Sequence, residues 1–292
     1  MDTRKEISEF LTSRRARITP DQAGLPTYGN RRVPGLRRTE VAVLAGVSVP
    51  YYTRIERGDM HGVSDGVLDA LARALQLDDA ERTHLFDLAR TAQLAVTPRR
   101  RRQPKQHVRP DVQWTLDAIT GAAALAGNER LDILAANPLG HALFSDLLTD
   151  TARPANHARY VFLDPRAEAF YGDWARATAE TVAILRRAAG RDPYDRDLTD
   201  LIGQLATQSE TFRTLWAAHN VRFHTTALKH LRHPTVGELT LSFNRLDIAA
   251  DSGLSIFTYT PEPGSKSEQA MNLLGSWAVT PGDVPAAHTT NG

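Results

Sequence analysis

Arg54 sits six residues after Ser48 in the run SVPYYTRIERG (48–58). A guanidinium presents paired donors in one plane. That geometry fits guanine O6 and N7 in a major groove, and it fits a phosphate equally well. Base reading, phosphate contact and plain solvation all remain open for Arg54 at this level. Thr53 adds a hydroxyl, while Val49 and Pro50 offer only apolar contact, for example to a thymine methyl. Arg37 and Arg38 upstream suit phosphates, which set register without choosing sequence. Arg31 and Arg32 lie on a Gly/Pro-rich segment and could track the backbone or enter a minor groove. The competing reading of that segment is a solvated loop packed by Leu25, Pro26 and Tyr28.

These residues need two short helices around a tight turn. The stretch EVAVLAGVSVPYYTRIERG (40–58) supplies them. Glu40 to Leu44 makes the first helix, Ala45-Gly46-Val47 the turn, and Ser48 caps a second helix running to about Arg57. Val41, Ala42, Ala45, Val47, Tyr52 and Ile55 fall on one inward face. Glu40 and Glu56 are expected to be structural, holding nearby backbone or Arg57. Helices over Lys5–Arg17, Leu36–Leu44, from Ser64 onward and over Asp79–Leu94 complete a five-helix, all-α domain.

Charge divides the chain. Residues 1–110 hold 20 Lys/Arg against 13 Asp/Glu, whereas residues 111–292 hold 15 against 21. The basic part coincides with the helix pair and would attract a phosphate backbone. Residues 98–110, PRRRRQPKQHVRP, read as an extended basic linker. The chain has no Cys, which excludes disulfides, Cys₄ zinc sites and thiol nucleophiles. No apolar run is long enough to span a membrane. The nucleotide-binding and nucleophile motifs GxGxxG, GxxxxGK(S/T) and GxSxG are absent. His219 and His224 are spaced five apart without an HExxH carboxylate, so neither a metal nor a cofactor is expected.

Residues 111–278 read as an α+β domain. A helix over Asp111–Ile119 is followed by a hairpin, Ala122–Ala126 and Arg130–Ala136, turning at Gly127-Asn128. Asn137-Pro138 opens a helix to Leu148, and further helices span about 165–188 and 198–210. Another contains Phe212, Trp216 and His219. Val236–Leu241 and Leu254–Tyr259 have strand character, Ser267–Trp277 is a last helix, and 279–292 reads as a disordered tail.

The segments RRARITPDQAGLPTYGNRRVPGLRRTEVAVLAGVSVPYYTRIERG and SDGVLDALARALQLDDAERTHLFDLA resemble the XRE (Cro/C1-type) helix-turn-helix regulators. The later segments RLDILAANPLG, RYVFLDPRAEAFYGDW, FRTLWAAHNVRFH and KHLRHPTVGELTLSFNRL are similar to the MmyB-like ligand-binding domain, whose fold is PAS-like. The resemblance implies an all-α DNA-binding domain over 1–97, the linker over 98–110 and an α+β PAS-like sensor over 111–278. It places Arg38 at a phosphate-contact position, Val49, Pro50 and Arg54 at recognition-helix positions, and Tyr52 in the core. It implies a regulator of double-stranded DNA with an apolar, aromatic or fatty-acid-like effector. The expected regulator is a cytoplasmic, nucleoid-associated homodimer, and a repressor before an activator, because occupying a promoter needs no polymerase contact. Tyr171, Trp174, Phe212, Trp216, His219 and Phe223 are the candidate ligand residues, with ordinary core packing as their alternative role. The competing functional reading is a constitutive or architectural DNA-binding protein whose carboxy-terminal domain only dimerises.

Overall fold

A computed structural model describes residues 3–26, 33, 35–94, 107–148, 154–218, 226–251 and 253–278. Arg31, Arg32, His219, Phe223 and His224 lie outside the described residues, as does the tail from 279 onward. The fold-class expectation holds: an all-α region is followed by an open, mixed α+β architecture of PAS-like kind.

The amino-terminal helices are α1 (Thr3–Arg17), α2 (Arg38–Leu44), α3 (Val49–Glu56), α4 (Asp65–Ala74) and α5 (Asp79–Leu94). Their core is one apolar cluster in which Ile7, Phe10, Leu11, Leu36, Val41, Ala42, Tyr52, Ile55 and Leu71 are fully buried. The inward face read from the α2–α3 sequence is therefore the face that packs. Between those helices Gly46 has φ +66°, left-handed backbone that costs a β-carbon residue energy but not glycine. Ser48 caps α3 by accepting the Tyr51 backbone N–H at 3.3 Å, and Pro50 sits in the first turn, where its missing N–H is no loss. Glu40 accepts the Arg37 backbone N–H at 2.6 Å, closing the start of α2.

The remaining elements are α6 (Pro110–Asp117), β1 (Ala123–Asn128), β2 (Ile133–Ala136), α7 (Pro138–Leu143), α8 (Ser145–Leu148), α9 (His157–Leu163) and α10 (Arg166–Phe170). After them come α11 (Trp174–Arg191), α12 (Arg196–Gln208), α13 (Glu210–Ala217), β3 (Thr226–His233), β4 (Gly237–Asp247), β5 (Leu254–Pro261) and α14 (Lys266–Ala278). The five strands form one sheet in the order β2-β1-β5-β4-β3, and every neighbouring pair is antiparallel. Val112 and Leu116 of α6 pack on Ala124, Ala126 and Ile256 of one sheet face.

Three local expectations are corrected. The β1–β2 reversal lies after Asn128, not at Gly127-Asn128: the Asn128 side chain accepts the backbone N–H groups of Arg130 and Asp132, each within 3.1 Å, and Leu131 takes φ +66°. Gly127 stays in the strand, paired with Ile133 and Ser255, and a β-carbon there would stand 2.7 Å from the Asp132 carbonyl oxygen. The helix expected over 165–188 is broken between α10 and α11, where Tyr171 bridges to Leu231 and Gly172 donates its backbone N–H to the His230 carbonyl. Strand β3 was not expected at all. It is an edge strand rich in Lys, Arg and His, a composition that suits an edge and hides the alternation of a strand.

By proximity the chain forms two compact units that do not follow chain order. One comprises residues 1–105, 161–164 and 175–224, the other 106–160, 165–174 and 225–292. Thus most of α11, with α12 and α13, groups with the five amino-terminal helices, and the sheet groups with α6–α8, α10 and α14.

Candidate nucleic-acid interface and ligand-binding face

Helix α3 presents Ser48, Val49 and Pro50 as exposed residues and Thr53 and Arg54 as half-buried ones, while Tyr52, Ile55 and Glu56 are buried on its other side. The helix is braced from beneath. Glu56 is 1% exposed; its Oε1 accepts from Arg15 Nε at 2.6 Å and from the Tyr52 hydroxyl at 3.1 Å, and its Oε2 accepts from Arg38 Nε. Arg15 also donates to the Leu36 carbonyl at 2.8 Å, tying α1 to the entry of α2. Burial alone would push the Glu56 carboxyl up, but the Arg15 and Arg38 guanidiniums more than offset this and hold it below the ordinary carboxylate range. Burial first, then the adjacent Glu56 carboxylate, push the Tyr52 phenol well above its ordinary value, so it remains a donor. The structural role expected of Glu56 is therefore met through Arg15, Arg38 and Tyr52 in place of Arg57.

Arg54 is held in place. Its Nη2 donates to the His61 carbonyl at 3.1 Å, its Nη1 lies 3.6 Å from Asp59, and its guanidinium stands 5.0 Å from the Tyr51 ring centroid. A charged fork fixed in this way loses less side-chain entropy on meeting a partner. Arg37 is exposed at the α2 cap, and Arg38, beside it, is half-exposed while paired to Glu56. Val43, 71% exposed, and Leu44 extend the apolar surface of α2. Sequence reasoning passed over both because, outside the recognition helix, it gave contact roles only to arginines.

Of the described candidate ligand residues, Phe212 and Trp216 belong to the helical unit and Tyr171 and Trp174 to the sheet unit. Phe212 is fully buried in the helical unit, stacks on Trp216 with ring centroids 5.5 Å apart, and meets Phe162 edge-on at 5.1 Å. In the sheet unit Tyr171 shares a 2.8 Å hydrogen bond between its hydroxyl and His157 Nε2, and Trp174 is half-buried at the start of α11.

The sheet unit carries a different aromatic series. Register places Phe243 opposite Tyr259, with Phe257 two residues along on the same face. Phe243 and Phe257 are stacked 6.1 Å apart, Phe243 meets Tyr259 at 5.2 Å, and Tyr259 meets Phe144 at 4.9 Å. Phe144 continues to Phe170 at 5.7 Å, and Phe170 to Tyr171 at 5.2 Å. Phe243, Phe257 and Tyr259 are half-buried, so part of this apolar face stays open to contact. Lys229 Nζ lies 5.3 Å from the Phe243 ring, on the same face. The sequence carried a signal for it: Phe257 and Tyr259 alternate along SIFTYT, the period of one strand face.

Among the described residues no group of three or more His, Cys, Asp or Glu side chains could hold a metal, and no helix is long and apolar enough to cross a membrane. Comparison with curated proteins gave no match. Residues 6–85 match a helix-turn-helix domain. Residues 108–274 match the MmyB-like transcription regulator ligand binding domain. Both modules are regulatory rather than catalytic. With that second match covering more than half of its length, the chain belongs to the MmyB-like transcription regulators: a helix-turn-helix DNA-binding module joined to a PAS-like ligand-binding module.

Proposed function

We propose that the protein is a ligand-responsive repressor that binds duplex DNA as a homodimer in the cytoplasm, at two half-sites about one helical turn (~34 Å) apart. The observation that carries this reading is α3 itself. Ser48, Val49, Pro50, Thr53 and Arg54 face outward on a helix whose inner side is fixed by the Glu56 ion pairs. In this reading Arg54 contacts guanine, Val49 and Pro50 meet apolar base edges, and Arg37 and Arg38 meet phosphates. Arg31 and Arg32 follow the adjacent backbone. The effector is a small apolar or aromatic molecule, fatty-acid-like in character, and the half-buried ring series of the sheet unit supports that chemistry. Repression is favoured because occupying a promoter requires no contact with polymerase.

The test is operator selection from genomic fragments followed by binding isotherms at several salt concentrations. Arg54→Ala is expected to weaken operator binding by about 10- to 100-fold and to relax preference at one base position. Arg37→Ala is expected to weaken all sequences alike and to reduce the salt slope by about 1. Unchanged base preference in Arg54→Ala would move Arg54 from base reading to the backbone.

A further inference from the structure

The guanidinium of Arg186, on α11, is fully buried and meets groups of α1 and α13. Nη1 donates to Glu6 Oε1 of α1 at 2.5 Å, Nη2 donates to the Trp216 carbonyl of α13, and the guanidinium carbon lies 4.3 Å from the Trp216 ring centroid. Glu6 and Arg186 are 180 residues apart in sequence. Glu6 is the first residue of the helix-turn-helix match, and Arg186 lies inside the ligand-binding match. A second contact sits further along α11. Thr91 Oγ1 of α5 donates to the Gly190 carbonyl at 2.9 Å, and a β-carbon on Gly190 would stand 2.9 Å from Cε1 of the buried His84 ring. All of these residues belong to one compact unit.

Helix α1 also carries Arg15, whose Nε holds Glu56 at the end of α3. One rigid element therefore holds an ion pair to α11 and another to the recognition helix. A buried ion pair adds little net stability, because desolvation of both charges consumes most of their attraction. Burial raises the Glu6 carboxyl above its ordinary value even against Arg186, in keeping with that cost. What such a pair does supply is a fixed geometry.

We infer that the DNA-binding unit is composite, and that Arg186 is a positioning residue for the recognition helix, acting through Glu6 and α1. The inference rests on the DNA-binding reading above and deepens it. It names α11, contributed by the ligand-binding sequence, as the element through which that sequence sets the orientation of α3.

The test uses the full chain and two readouts: operator affinity, and amide exchange at Tyr52–Arg57 without DNA. Arg186→Met takes the Arg186 ion pair from the buried Glu6 carboxylate, and Glu6→Met/Arg186→Met removes both charges. In the double variant the thermal melt is expected to return toward wild type. Operator affinity should stay at least fivefold weaker and α3 exchange at least fivefold faster. Wild-type affinity and exchange in the folded double variant would overturn the inference. If the double variant fails to fold, Gly190→Ala decides, since its β-carbon would stand 2.9 Å from the buried His84 ring and the contact between α11 and α5 must shift: faster α3 exchange supports the inference and unchanged exchange overturns it. If the wild type binds no duplex DNA, the function reading fails, and the exchange readout still decides this one.

Discussion

Glu56→Gln is expected to cost about 3 kcal/mol of folding stability, at the lower edge of the range for breaking a buried ion pair. The lower edge applies because Arg38 keeps 47% of its side chain exposed and can return to water. Among the described residues the partners of the Glu56 carboxylate are donors: Arg15 Nε, Arg38 Nε and the Tyr52 hydroxyl. A glutamine keeps the volume but turns a donating amide toward a guanidinium, leaving one buried group unsatisfied. The thermal midpoint should fall by roughly 6–12 °C. The pH dependence carries a sign that separates this account from simple loss of packing. The folded carboxyl titrates below its ordinary value of 4.5. Its stabilising contribution is therefore complete above that value and fades as pH falls through the depressed folded pKa. The gap between wild type and variant should be full at neutral pH and shrink toward pH 3. A gap that stays constant across that range would assign the loss to packing alone. Because α3 ends at Glu56, operator affinity should fall in the same variant.

Asn137→Ala is expected to cost the sheet unit about 3 kcal/mol, and Asn137→Asp nearly as much. As the cap of α7, Asn137 accepts the Gly140 backbone N–H at 2.7 Å, and the same oxygen accepts the Ala124 N–H at 3.0 Å. Its amide nitrogen donates to the carbonyls of Ile119 at 2.6 Å and Ala122 at 2.9 Å. The side chain is 1% exposed, so no water replaces those partners. Aspartate caps a helix as well as asparagine does. Were capping the whole role, the Asp variant would melt like wild type. Here it loses both donated bonds and faces two carbonyl oxygens with a negative charge. Thermal or denaturant unfolding of the two variants side by side distinguishes the roles. A neutral Asp variant would reduce Asn137 to a helix cap.

These residues also mark how far the sequence could be read. The α2–α3 pair was legible because its information is local: apolar spacing, a Ser cap, and a glycine at φ +66° between the helices. Asn137 was legible as a helix start for the same reason. Its other partners, on Ile119, Ala122 and Ala124, lie across a turn, and no periodicity reports them. Strand β3 hides in the sequence because its inward positions carry polar types: Lys229 is half-buried and His233 buried on either side of Leu231, while Leu228 is exposed, so LKHLRH shows no apolar alternation. The tall aromatics Phe212 and Trp216 were noticed for their size, but size does not tell which element they pack on. The structure sets them in the helical unit, whereas the half-buried ring series is built by Phe243, Phe257 and Tyr259. Grouping of α11–α13 with the amino-terminal helices depends on contacts such as Glu6–Arg186 and Thr91–Gly190, which span 180 and 99 residues. Local patterns carry nothing about contacts at that range.

The measurement that tests the central claim most directly is the affinity of the full chain for its selected operator with and without added small molecules. A panel of long-chain fatty acids and aromatic carboxylic acids is the probe, with apolar fractions of a cell extract beside it. The account predicts that at least one of them changes the operator Kd by fivefold or more, the scale of an ordinary coupling free energy between two sites. A defined operator bound with the same Kd, within about twofold, across the whole panel and every extract fraction would contradict it. That result would leave a constitutive DNA-binding protein whose ligand-binding module serves only to pair two chains.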